Sequence, residues 1–329
     1  MQREQWFHRA VIYQVDSSLF YDANGDGYGD LAGIRQKLHY IRSLGATVLW
    51  LTPFYLTPLQ DDGYDISDHL QPDPRFGTIA DVIELIARAR ELGLRVIVEL
   101  VIQHTSAQHP WFQAARRDPR SPWRPYYLWA DRPPQKDDPP MFPGVEESVW
   151  RWDEQAGQYY RHMFYRHEPD LNLAHPPVIA EIENIITFWL QAGVSGFRLD
   201  AASHLVKQAG KGDEARGYPL LNHLRQVVQR LNPEAILLGE VDVAVEDYRH
   251  YFGHGDRLQM VLNFWLNKYL YLSLAQQRAA PVVKALQAMV TPPDGCCFVN
   301  WLRNHDELDL EGIGERNKRQ VIRTFAPDK

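Results

Sequence analysis

Carboxylates, histidines and an arginine recur through the 329-residue sequence, each at or just beyond the end of a short apolar run. They are Asp16, the segment Asp61-Asp62-Gly63-Tyr64-Asp65, Gln103-His104, Arg198 with Asp200, Glu240, and His305-Asp306. One acid in such a place commonly caps the next helix. Three of them, Asp200, Glu240 and Asp306, together with arginine and histidine, suit glycosidic chemistry. That chemistry needs a carboxylate nucleophile and a carboxylic acid flanking an anomeric carbon. Arg198 lies two residues before Asp200, so on a strand the two share a face, and the guanidinium can hold the carboxylate ionised. A glutamic acid at the next strand end stays protonated where its surroundings are dry and other carboxylates are near. The chain has neither a metal-type cysteine cluster nor a serine nucleophile elbow, which leaves the carboxylates as the reactive set.

For these residues to meet, the apolar runs must lie side by side. Strands are expected at Val11–Val15, Val48–Leu51, Val96–Val101, Gly196–Leu199, Ile236–Gly239, Val261–Leu266 and Phe298–Trp301, nearly continuous in hydrophobicity, as strands buried on both faces are. Amphipathic helices are expected between them at Leu31–Leu44, Ile79–Leu92, Val178–Leu190 and Leu220–Leu231. Gly45 and Gly93 stand where C-caps belong, and Thr78 with Asp81 reads as a capping box. Strand–helix alternation without a dinucleotide glycine fingerprint predicts an α/β fold, a (β/α)8 TIM barrel whose strand ends deliver the site to one mouth. Residues 104–177 lack a clean period and are rich in Pro, Trp, Tyr and Asp, which predicts an inserted subdomain after the third strand. The division is then 1–103 for the first part of the barrel, 104–177 for the insertion and 178–329 for the remainder. No eighth strand is read; Glu315–Lys329 looks like a basic helix, so the barrel is expected to be C-terminally incomplete.

Composition narrows the class. Net charge is −7 and 45% of residues are hydrophobic, which argues against a nucleic-acid partner. No apolar run reaches membrane-spanning length, and Met1 to Val15 lacks the apolar core of a signal peptide. Two adjacent cysteines, Cys296 and Cys297, make no disulfide framework, so a reducing cytoplasm is expected. Ten Trp, 16 Tyr and 13 Phe serve mostly as core, although a sugar site also uses flat rings. Trp150, Trp152, Tyr159 and Tyr160 are read as packing residues. His109, His162, His167, His175 and His204 lack metal-ligand spacing, and Arg316, Lys318, Arg319 and Arg323 read as a solvated helix face.

Gly196-Phe197-Arg198-Leu199-Asp200, Gly239-Glu240 and Asn304-His305-Asp306, with a region ending in His104, resemble the four signature regions of glycoside hydrolase family 13, the α-amylase family. The order and spacing match across almost the whole chain. The resemblance implies a barrel enzyme acting on α-glucosidic bonds, with Asp200 as nucleophile, Glu240 as general acid/base and Asp306 as transition-state stabiliser. Asp61, Tyr64, His104, Arg198 and His305 would line the sugar subsite, Tyr64 as its stacking platform. The insertion would be the family's domain B, and Glu168-Pro169-Asp170-Leu171-Asn172 resembles its short motif. The resemblance also implies a C-terminal β-domain, which is not expected within these 329 residues. The runs Pro53-Phe54-Tyr55, Pro58-Leu59, Asp61–Ile66, Glu99–Val101, His104–Ser106, Gln108–Phe112 and Leu302–Leu308 resemble most the members that interconvert maltose and trehalose by double displacement. The alternatives are an α-glucosidase or oligosaccharide hydrolase of the same family, or a truncated, non-catalytic amylase-fold protein. The implied partner is a small α-glucoside such as maltose, trehalose or a short α-glucan.

The segment from Asp22 to Asp30 places oxygen-bearing side chains on alternate residues, Asp22, Asn24, Asp26 and Asp30, with glycines that permit a tight wrap; this suits a hard cation. Gly33 stands where an EF-hand has its bidentate glutamate, so the loop is not an EF-hand. It resembles the family's loop after the first strand, which implies Ca2+ or Mg2+ held with help from the Tyr28 carbonyl. Gln103 replaces an Asn that binds a second calcium in many members; its extra methylene displaces the amide oxygen and argues against that ion. No organic cofactor is expected.

Overall fold

Four consecutive residues buried on every side is the pattern of Val48–Leu51, Gly196–Leu199 and Ile236–Gly239, and it dictates a sheet covered on both faces. A computed structural model describes residues 5–327; Met1 to Glu4 of the N-terminal reading, and Asp328 and Lys329 of the C-terminal one, lie outside the described residues. The principal sheet has seven strands: β1 (Ile12–Val15), β2 (Val48–Leu51), β3 (Arg95–Leu100), β4 (Gly196–Leu199), β5 (Ile236–Gly239), β6 (Met260–Leu262) and β7 (Cys297–Val299). They pair in chain order and every pairing is parallel. This is the expected α/β architecture, a barrel sheet with β1 and β7 at its edges.

Helices on the outer face have the expected stops. Asp30 caps the helix Leu31–Ser43 by accepting from the Gly33 amide at 2.6 Å, and Thr78 and Asp81 form the capping box of Ile79–Glu91. Gly45 and Gly93 follow these helices at φ 88° and 71°, the left-handed conformation that glycine adopts at least cost. Further helices lie at Pro176–Ala192 and Glu214–Leu231; they pack on each other, and Glu214–Leu231 also packs on β5.

Several boundaries differ from the sequence reading. The sixth strand ends at Leu262, not Leu266, because the Asn263 side chain accepts from the Leu266 amide at 3.0 Å and starts the helix Phe264–Gln276. The helix expected from Leu220 begins at Glu214, capped by Asp213. The helix Ala202–Ala209, directly after β4, was not anticipated.

Between β3 and the helix Pro176–Ala192 lies a helix, Pro110–Arg117, and a small antiparallel sheet of Trp129–Ala130, Gln158–Arg161 and Trp150–Asp153. Bridges His104↔Asp170 and Tyr127↔Leu171 tie the start of this segment to its end. Phe112 stacks on Trp129 with ring centroids 5.5 Å apart, and Tyr160 meets Phe112 edge-on. Tyr160 is thus a packing residue, as expected, whereas Trp152 is exposed. The helix Glu315–Phe325 buries only Val321 and leaves Arg316, Arg319 and Arg323 in solvent.

Gly196 opens β4 at φ 148°, and a Cβ there would overlap the Ile236 carbonyl oxygen of β5. Gly196→Ala is therefore expected to destabilise the protein by about 2–4 kcal/mol, combining backbone strain with overpacking. Urea unfolding followed by circular dichroism measures this; an unchanged midpoint would show that β4 and β5 separate freely.

Candidate active site

Parallel pairing delivers the chemistry-bearing residues to one end of the sheet. Asp200 and Glu240 immediately follow β4 and β5, and their amides continue the ladder, to Leu100 O at 3.3 Å and Leu199 O at 3.0 Å. Glu99 of β3 stands directly across from Arg198 of β4 in register. Arg198 is 1% exposed, and its guanidinium organises the site. Nη1 donates to Glu99 Oε2 at 2.8 Å and to Asp200 Oδ1 at 2.5 Å, while Nη2 meets Glu240 Oε2 at 2.8 Å. Glu240 Oε2 also accepts from the Ala201 amide at 2.8 Å.

A second layer closes over this pair of strands. Glu99 Oε1 accepts from Trp50 Nε1 at 2.7 Å and from the Tyr64 hydroxyl at 3.1 Å. Tyr64 stacks on His305 with ring planes 7° apart, and its hydroxyl lies 2.7 Å from His305 Nε2. Gln14 Nε2 lies 2.6 Å from His305 Nδ1. Asp306 is half-exposed, its Oδ2 accepting from Asn304 Nδ2 at 2.7 Å and its Oδ1 3.3 Å from His305 Nε2. His104 Nε2 lies 3.2 Å from the Tyr64 carbonyl oxygen and 3.7 Å from Glu168 Oε1. Asp61 and Glu168 are also close enough to hydrogen bond once one of them carries a proton.

The structure thus brings together the carboxylates Asp200, Glu240 and Asp306 with Tyr64, His104, Arg198 and His305, and sets Asp61 beside Glu168. Asp16 and Asp65 serve their own loops instead. Asp16 accepts from the Ser18 amide and hydroxyl, and Asp65 from Thr57, Gln60 and Asp61. Glu99, Trp50, Gln14 and Glu168 had not been picked out as site residues. Glu99 carried a signal, since a lone acid inside the run Arg95–Leu100 needs a buried partner. A cavity of about 630 Å³ opens at the opposite end of the sheet, where β3 and β4 begin, but no acid or histidine lines it.

Burial dominates the electrostatics. Glu99 and Asp200 are pushed up to about 7 by desolvation, against the downward pull of Arg198. Asp61 and Glu168 are pushed up to about 8, again chiefly by burial. His305 is held down to about 4 by burial and by Arg198, and His69 to about 4 by burial.

The loop from Asp22 to Asp30 has donor chemistry that suits a hard cation, but its oxygens already have partners. Asp22 accepts from the Gly25 and Gly27 amides, Asn24 from Asp26, and Asp26 from Tyr28. Asp30 accepts from Gly33 and Ala23. Among the described residues no three His, Cys, Asp or Glu side chains are gathered as a metal cage. Gln103 is buried with Oε1 lacking a hydrogen-bond donor.

A parallel barrel sheet with three acids around one buried arginine at its strand ends defines the class. Residues 14–319 match the α-amylase family, described as "Alpha amylase, catalytic domain", and the chain belongs to that family. It is 42% identical over 327 residues to the trehalose synthase of Thermus thermophilus, covering 98% of this chain and 34% of that protein. It is 38% identical over 266 residues to a glucan 1,6-alpha-glucosidase of Streptococcus pneumoniae serotype 4, covering 80% and 49%. The crystal structure of the alpha-glucosyl transfer enzyme XgtA superposes with a TM-score of 0.74 at 32% identity, covering 88% and 60%. The chain thus spans about a third to three-fifths of the length of these relatives.

The raised acids set a pH dependence of stability. An acid that holds its proton more tightly folded than unfolded makes the folded state lose stability as pH rises from its unfolded to its folded value. The depressed histidines act in the opposite direction, but chiefly below about pH 6.5, where the unfolded chain takes up protons that the native chain refuses. Between about pH 6.5 and 8.5 the raised acids outweigh the depressed histidines, so the melting temperature is expected to fall across that window and to fall less in Glu99→Gln. Calorimetry showing a flat or rising melting temperature there would contradict the buried-acid assignment.

Proposed function

We propose that this chain carries the active site of a retaining α-glucosidic enzyme, one that interconverts maltose and trehalose. The observation that carries the reading is one guanidinium bridging Asp200 and Glu240 at adjacent strand ends. Two acids held by the same group stay close, and double displacement calls for a carboxyl separation of about 5–5.5 Å. Asp200 has Oδ1 bound by Arg198, which leaves Oδ2 to attack the anomeric carbon. Glu240 has Oε2 bound by Arg198 and Ala201, which leaves Oε1 to carry the proton for the leaving oxygen. In the first step the Asp200–C1 bond forms, the glycosidic bond breaks and the Glu240 proton passes to the departing hydroxyl. In the second, an acceptor hydroxyl gives its proton to Glu240, attacks C1 and releases Asp200. Transfer to carbon one of the retained glucose makes trehalose from maltose; transfer to water is hydrolysis.

Asp306, beside His305, is placed to accept hydrogen bonds from sugar hydroxyls as positive charge grows on the ring. Asp61, His104 and Tyr64 complete the sugar-binding wall. The likeness to a glucan 1,6-alpha-glucosidase supports hydrolysis as a second reading. Residues 104–177 act in both readings as a separate inserted domain over the mouth. The two free cysteines suit a reducing, cytoplasmic setting, and among the described residues no helix is long and apolar enough to cross a membrane.

Incubation with maltose, with trehalose and free glucose both followed, tests the proposal. Trehalose formation is expected; glucose alone selects the hydrolase, and no turnover of any α-glucoside selects a non-catalytic amylase-fold protein. Asp200→Asn should lower kcat by at least about 10⁴-fold, since nothing else stands in to attack carbon. Full turnover in that variant would remove the mechanism.

The cation remains a separate proposal resting on donor chemistry: Asp22, Asn24, Asp26, the Tyr28 carbonyl and Asp30 would hold Ca2+ or Mg2+ and brace the loop after β1. Calcium is then expected to raise the melting temperature of the wild type but not of Asp26→Asn. Equal melting of both proteins with and without calcium would exclude it.

A further inference from the structure

Lys268 is a buried cation for which the proposed chemistry has no direct use. It lies on the helix Phe264–Gln276 and is 7% exposed. Its ammonium reaches groups on two other loops: Asp242 Oδ1 at 3.6 Å, Asp309 Oδ2, and the Glu311 carbonyl oxygen at 3.1 Å. Asp242 stands two residues beyond Glu240, and Asp309 three beyond Asp306. Asp242 and Asp309 are within hydrogen-bonding reach of each other. Asp309 Oδ2 accepts no hydrogen bond of ordinary geometry, so the ammonium meets it as an ion pair. Two carboxylates are thus drawn together with one cation between them.

The same helix holds the rest of that loop. Asn267 Nδ2 donates to the carbonyls of Trp301 at 2.8 Å and Leu302 at 3.3 Å, and the Tyr271 hydroxyl donates to Leu302 O at 2.9 Å. From Asn300 to Gly314 the chain has no helix or strand of its own, so its place depends on such ties.

We propose that Lys268 is a positioning residue, whose ammonium clamps the loop carrying Asp306 to the loop carrying Glu240 and so fixes the two acids across the sugar site. The inference rests on the roles proposed above for Glu240 and Asp306. Without the ammonium, Asp242 and Asp309 would face each other as like charges at any pH that ionises both, and there the loops would be driven apart rather than merely loosened. That repulsion is a signature which loss of packing lacks: neutralising Asp309 should relieve it.

The test compares Lys268→Met, the double variant Lys268→Met with Asp309→Asn, and Lys268→Arg. Each is assayed with maltose and by hydrogen exchange over residues 300–311, well below its melting temperature. In Lys268→Met, kcat is expected to fall about tenfold to a hundredfold, the scale of an ångström-sized misplacement, while KM changes by less than about twofold. Exchange over 300–311 should quicken in the same variant. The double variant should recover most of both effects, and Lys268→Arg should behave as the wild type. Unchanged exchange in Lys268→Met, a loss confined to KM, or no recovery in the double variant would overturn the clamp. If the wild type turns over no maltose, the functional reading fails by itself, and the exchange measurements decide the clamp.

Discussion

The guanidinium of Arg198 is the group on which the rest of the site depends. An ion taken out of water must be paired, or the fold bears a penalty of several kcal/mol. Arg198 answers this with three carboxylates, Glu99 inside β3 and Asp200 and Glu240 at the ends of β4 and β5. One positive charge cannot neutralise three negative ones in a dry place, so burial wins at Glu99 and Asp200 and raises both to about 7. The arrangement therefore costs stability, and Asp200 must shed the proton that burial favours before its carboxylate can attack. It requires register as well as residue type, because a slip of one residue between β3 and β4 would turn Glu99 away from Arg198.

Around that centre, residues distant in sequence act as a wall. His305, after the last strand, stacks on Tyr64, after the second, and Gln14 of the first strand meets its other nitrogen. The two edges of the sheet are thereby linked through the site itself. The loops between are held by groups with no part in the chemistry: Asn263 capping a helix, Asn267 and Tyr271 bonding the 300–311 segment, and Asp65 folding the segment that carries Asp61. Loops that carry function are held by what packs beneath them, and here this is chiefly side-chain hydrogen bonding to backbone amides and carbonyls.

Much of this was legible in the order of residues. All seven strands of the sheet could be read, the central ones because strands buried on both faces are nearly continuous apolar runs. The capping box at Thr78 and Asp81 and the stops at Gly45 and Gly93 are equally local. The misreadings were local too. Phe264 to Leu266 continue the apolar run of β6, and only the cap made by Asn263 turns them into helix. The helix Ala202–Ala209 begins immediately after Asp200 with no cap residue of its own: Ala201, in its N-cap position, has φ 43° and makes no side-chain cap bond. Glu99 reads only as part of a motif run and not as a site residue, because its partner lies 99 residues away.

Residue types and spacing were enough for the α/β barrel sheet, because it follows from strand periodicity, and the contiguous motifs were enough for the resemblance to the family. Folding alone decided that Glu99 faces Arg198, that one guanidinium spans Asp200 and Glu240, that Glu168 stands beside Asp61, and that Lys268 ties two loops of the mouth. These are meetings between segments far apart in the chain, set by parallel register and by burial, and no local pattern of residues encodes a distance across a barrel. The loop from Asp22 to Asp30 makes the same point from the other direction. Its alternating oxygens describe a cation ligand set, and in the folded chain Asp22, Asn24, Asp26 and Asp30 each also accept at least one backbone amide of their own loop or the helix that follows, which no list of residue types shows.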